Sequence, residues 1–143
     1  MLENNVIQYR GFHNIQQGGE TVGFQICVRS KYYRGVWFSQ IRPGKVIVDG
    51  EVFLKDQVIW EIDGQEYTVA DMATAGGKFW RNTEPATLKI YKKGGLAQGF
   101  HNVSVRFGFS ASYMPPRIDH FDGDGDGWGI GGGTFTREHM VIV

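Results

Sequence analysis

Three aspartates, Asp122, Asp124 and Asp126, alternate with glycine in the stretch DHFDGDGDGWGIGGG, and Gly127 follows them. A helix–loop–helix calcium site begins this way, with side-chain oxygens at its first, third and fifth positions and a glycine at its sixth. The same site needs a bidentate glutamate at its twelfth position, where this chain has Gly133, and its ninth position is Ile130. Three carboxylates without that glutamate bind weakly unless other loops complete the shell. A mobile Gly/Asp loop without specific calcium is therefore the expected reading. Trp128 adds a second consideration, because a tryptophan in a glycine-rich loop gains most by closing over a partner or ligand. Asp122, Asp124, Asp126 and Trp128 are read as a lid or substrate-proximal loop.

Other chemistry is harder to find. His13, His101, His120 and His139 are scattered, with no His-x-His pair, and no metal site is expected on this chain. His120 draws interest only through its place beside the acidic loop. A glycosidase needs two carboxylates facing each other across a cleft, but Glu51, Glu61, Glu66 and Glu84 fall on hairpins or near turns and read as solvated strand faces. There is no G-x-S-x-G elbow and no phosphate-binding glycine loop. No catalytic residue is assigned. In SKYYRGVWFSQI, by contrast, Tyr32, Tyr33, Arg34, Trp37 and Phe38 crowd together. Tyr, Trp and Arg anchor protein interfaces, so this stretch is read as part core and part docking surface.

The elements that would position these residues have a period of two. In VGFQICV, Val22, Phe24, Ile26 and Val28 alternate with Gly23, Gln25 and Cys27. Asp49-Gly50 and Asp63-Gly64 are hairpin-turn pairs flanked by apolar alternation. Further strands are read at Ala86–Ile90, at Val103–Phe109, in the C-terminal TFTREHMVIV, and first of all in VIQYRGFHNI. The one helix signal is TVADMATA, where Thr68 and Asp71 have capping-box spacing. The fold class expected is all-β: an antiparallel, jelly-roll-like β-sandwich with at most one short helix. One domain over residues 1–143 is expected, with a Gly/Asp-rich excursion at about 117–133.

Composition limits the partners. Lys plus Arg and Asp plus Glu are 15 each, so nothing suggests a basic face for nucleic acid. No apolar run has the length of a membrane span, and Met1 to Arg10 lacks a signal-peptide pattern. The single cysteine, Cys27, fits a reducing compartment and sits in a strand pattern, so a cytoplasmic protein is expected.

GFHNI, VGFQICVRSKYYRGV, IVDGEVF, IDGQEYTVADM, EPATLKIYKKGGLAQGFHNVSV and SYMPP occur in this order. Together they resemble the small β subunit of the bacterial C-glycoside deglycosidases, from about Gly11 to Pro116. YYRGV and GGLAQGFHNV are the most specific of these motifs. The resemblance implies a β-sandwich that pairs with a larger TIM-barrel α subunit. That partner would carry a divalent metal, usually manganese, and a histidine base, with no cofactor on this chain. It also implies a 3-oxo-C-glycoside substrate: the ketone acidifies the C2 proton, the metal stabilises the enolate, and the bond from C1 to the aglycone carbon breaks by elimination. Tyr32, Tyr33, Arg34 and Gly35 match the family's motif, as do Ser112, Tyr113 and Pro115. Tyr32, Tyr33, Arg34, Trp37 and Tyr113 are assigned to the partner interface. The rival reading is a stand-alone carbohydrate-binding β-sandwich, with calcium in the Asp122–Asp126 loop and Tyr32, Trp37 or Trp80 stacking on sugars.

Overall fold

The computed structural model describes residues 2–30, 35–75, 77–109, 123–125 and 132–143. Two antiparallel sheets face each other. The first contains β1 (His13–Gln17), β2 (Glu20–Val28), β6 (Val58–Ile62), β7 (Gln65–Tyr67) and β9 (Ala86–Ile90), in the order β1-β2-β9-β6-β7. The second runs β11-β10-β4-β5, from β4 (Ile41–Val48), β5 (Glu51–Phe53), β10 (Gly99–Phe109) and β11 (Gly132–Ile142). A short ribbon pairs β3 (Val36–Trp37) with β8 (Phe79–Trp80). The expected all-β sandwich is the observed fold.

The alternation read in the sequence fills the space between the sheets. Phe24, Ile26, Trp60, Ile62, Leu88 and Ile90 enter from the first sheet, and Val46, Val103, Val105, Phe107, Met140 and Ile142 from the second. Both Asp-Gly pairs turn with positive φ, 50° and 88° at Asp49-Gly50 and 55° and 78° at Asp63-Gly64. This twist matches that of the strands they join. The helix α1 (Val69–Thr74) starts on the capping box: Asp71 N–H donates to Thr68 Oγ1, and Thr68 N–H to Asp71 Oδ2, each at 3.1 Å.

The N-terminus departs from the expected strand. VIQYRGFHNI is broken in two, with an isolated bridge from Ile7 to Val28 and then β1 from His13. Between them Gly11 turns at φ 81° and Phe12 drops into the core at 5% exposure. The six steps from Ile7 to His13 thus face only three on β2, from Val28 to Gln25, which no continuous strand can do, and β1 carries a further register shift between Ile15 and Gln16.

A second irregularity shapes the site. Val105 pairs with Val46 and Phe107 with Pro43, so Gly44 and Lys45 together stand opposite Arg106. The Gly44 Cα lies against the Arg106 carbonyl, and there is no room for a side chain.

Candidate functional site

Residues 123–125 are seated on this bulge. Lys45 N–H donates to the Gly123 carbonyl at 2.9 Å, and Lys55 N–H donates to Asp124 Oδ1 at 2.8 Å. Gly123 is buried, and any side chain there would run into the Pro43 carbonyl. Asp124 thus accepts the first amide of the 3-10 turn Lys55–Gln57, as an N-cap aspartate would. Asp124→Ala is expected to cost about 1–2 kcal/mol, because a partly buried amide loses a charged acceptor. The urea midpoint of the purified chain measures this.

Next to the anchor lies a cleft of about 370 Å³. Ser39 from the 3-10 turn Phe38–Gln40 and Ile41, Arg42 and Pro43 from the start of β4 form one side, while Lys55, with Val69 and Ala73 of α1, forms the other. The Arg42 guanidinium is drawn back against its own strand by bonds to the Ser39 carbonyl (2.8 Å) and the Ile41 carbonyl (3.3 Å). Lys55 has no salt bridge among the described residues.

Trp37 lies two residues before Ser39, on the short ribbon. It is 48% exposed and stacks edge-on against Phe79, with centroids 5.0 Å apart. Gly35 makes this packing possible: it has φ 74°, and a Cβ there would sit 2.9 Å from the Phe79 ring. Asp124 is thus tied to the cleft through the amide of Lys55, while Trp37 belongs to the ribbon that precedes Ser39. Tyr32, Tyr33, Arg34, Ser112, Tyr113, Pro115, His120, Asp122, Asp126 and Trp128 lie outside the described residues.

Trp80 must be removed from the sugar-stacking set. It is fully buried, edge-on to Trp60 at 5.8 Å, and no ligand can reach its face. Phe79 takes its place as the exposed aromatic of β8, since the two residues point to opposite sides of the ribbon.

Among the described residues no three His, Cys, Asp or Glu side chains stand close enough to hold a metal ion. His101 is committed to structure, with Nδ1 at 2.6 Å from Asp49 Oδ2 and Nε2 at 2.6 Å from the Ala97 carbonyl. His13 and His139 are exposed. Cys27 is buried in β2, and burial pushes its thiol pKa up, away from nucleophilic use. Of the carboxylates, Glu51 pairs with Lys92, and Glu61 and Glu66 share Lys89.

Two carboxylates are held below their ordinary pKa. Asp49 is lowered first by the Asn102 N–H (2.8 Å) and then by His101, and Glu3 first by the Arg137 guanidinium (2.9 Å). Depressed carboxylates support the fold above their unfolded values, about 3.9 for Asp and 4.3 for Glu, and that support is lost as pH falls toward the folded values. The melting temperature is expected to fall through that acid window. Asp49→Asn should lower it at neutral pH and flatten the acid loss, as thermal melts across pH would show.

The cleft was not visible in the sequence. Ser39, Arg42, Lys55, Val69 and Ala73 form no ligand-binding motif, and three separate segments, 39–43, 55 and 69–73, meet only through the fold. The comparisons with known proteins bear on it directly. The family model of the C-glycoside deglycosidase beta subunit matches residues 2–113. The chain belongs to this family. A protein of Eubacterium cellulosolvens named C-glycoside deglycosidase beta subunit is 50% identical over 125 residues, covering 86% of this chain and 85% of its own. The family span includes Trp37 and every described residue lining the cleft, whereas the Asp124 anchor lies beyond it.

Proposed function

We propose that this beta subunit is the accessory chain of a two-chain carbon–carbon lyase whose catalytic centre lies on a TIM-barrel alpha subunit. The observation that carries this reading is the family match, and the exposed Trp37–Phe79 ring pair supplies a surface suited to a partner. The divalent metal and the base belong to the partner in this reading. Trp37, with Tyr32, Tyr33, Arg34 and Tyr113, forms the contact with that partner. The acidic loop is fixed at Asp124 and borders the substrate.

The substrate is a C-glycoside already oxidised at C3. A ketone at C3 acidifies the C2 proton. Removal of that proton expels the aglycone carbon from C1, the carbon takes up a proton, and the sugar leaves as a 1,2-unsaturated 3-ketone. No described helix is long and apolar enough to cross a membrane, and the proposed location is the cytoplasm.

The reaction is tested with the reconstituted pair on matched C-glycosides. The 3-oxo form should be cleaved and the unoxidised form left intact. Deuterium at C2 should be lost to solvent or slow the reaction. Equal cleavage of both forms, with C2 deuterium retained, would refute elimination.

A further inference from the structure

The cleft beside Asp124 has a chemistry that selects between the two halves of a C-glycoside. Its walls are largely apolar, from Ile41, Pro43, Val69 and Ala73. Its charged groups, Lys55 and Arg42, can only donate hydrogen bonds. Ser39 adds one hydroxyl, and among the described residues no side-chain carboxylate, side-chain amide or aromatic ring lines the space. A sugar ring presents a dense set of hydroxyl donors that need acceptors, and usually an aromatic face beneath its C–H bonds. Among the described residues this cleft supplies one hydroxyl acceptor and no aromatic face. It suits a flat apolar body that brings its own oxygen acceptors, such as an arene with phenol or ketone oxygens. A volume of about 370 Å³ falls within the range of small-molecule sites, roughly 300–1,000 Å³. It is enough for a ring or two and too small for a whole glycoside of a fused aromatic.

We propose that the cleft between the Phe38–Gln40 turn and α1 receives the aglycone half of the C-glycoside, with the Lys55 ammonium on an aglycone oxygen. This rests on the two-chain lyase reading. It assigns this chain a share of substrate selection that the catalytic subunit would otherwise carry alone. The Asp124 bond to the Lys55 amide then has a purpose, since it fixes the backbone that carries the Lys55 side chain. An arene bearing phenol oxygens is also the leaving group that elimination favours, because its carbon accepts a proton most readily.

Two variants test this in the assembled complex. Val69→Trp fills the cleft from the first turn of α1, where Val69 is half-buried and lines the space. Lys55→Met removes the donor and keeps the apolar stem. Each complex is assayed for KM and kcat on a 3-oxo-C-glycoside, and for inhibition by the free aglycone. Val69→Trp should raise KM and the aglycone inhibition constant by about tenfold or more, with a smaller change in kcat. Lys55→Met should do so most for aglycones with ionised phenols. Unchanged constants in an intact complex would overturn the proposal. So would loss of assembly by a Val69→Trp chain that still folds, since the cleft would then hold a partner side chain. If the unsubstituted complex cleaves no C-glycoside, it is the lyase reading that fails.

Discussion

Trp80→Ala is expected to leave the chain largely unfolded at temperatures where the unsubstituted chain is intact. Trp80 has no exposed surface, and its ring meets Trp60 at 5.8 Å, Phe107 at 6.2 Å and Phe109 at 6.1 Å. Removing a buried indole costs about 3–5 kcal/mol in transfer and cavity terms, against about 5–15 kcal/mol for a whole domain. A further loss follows because Trp80 Nε1 donates to the Glu84 carbonyl at 2.9 Å, which would be left without that donor. Trp80 also belongs to β8, so its removal loosens the ribbon that presents Trp37 and Phe79. Trp80→Phe keeps most of the packing and should cost clearly less. Urea unfolding of the three forms measures the order. A loss under about 1 kcal/mol for Trp80→Ala would mean that this end of the sandwich is not packed as described.

The second large effect concerns association, and stability should hardly move. Trp37 is 48% exposed and touches Phe79 at the surface, so Trp37→Ala should change the folding free energy of the isolated chain by about 0.5 kcal/mol or less. If the ribbon is the docking surface, the same substitution removes an aromatic anchor. Affinity for the catalytic subunit should then fall by about 2 kcal/mol or more, roughly 30-fold. Calorimetric titration of the partner with each form gives both numbers. Unchanged affinity would move the interface away from Trp37.

Much of the sandwich could be read directly because its determinants are local. The Asp-Gly turns need positive φ at adjacent residues, and the observed angles at Asp49-Gly50 and Asp63-Gly64 supply it. The Thr68–Asp71 box needs only a spacing of three, and it starts the helix. What escaped depends on residues far apart in sequence. The two-residue strands β3 and β8 are too short to show alternation, so nothing set exposed Phe79 apart from buried Trp80. Lys45 and Arg106 are only 8% and 4% exposed where the β4 bulge meets Gly123, and no local pattern marks them as buried. The break in the N-terminal strand goes with a turn at Gly11 and the burial of Phe12, which no local pattern marks. The cleft joins three segments and had no pattern to find.

The central claim is that this chain works only as part of a two-chain enzyme. Its most direct test is to co-express it, tagged, with the candidate barrel subunit and assay the purified product beside each chain alone. The account predicts that the barrel co-purifies in fixed ratio and that the pair cleaves a 3-oxo-C-glycoside while neither chain does so by itself. A tagged chain that elutes alone and stable, beside a barrel that cleaves the substrate unaided, would contradict it.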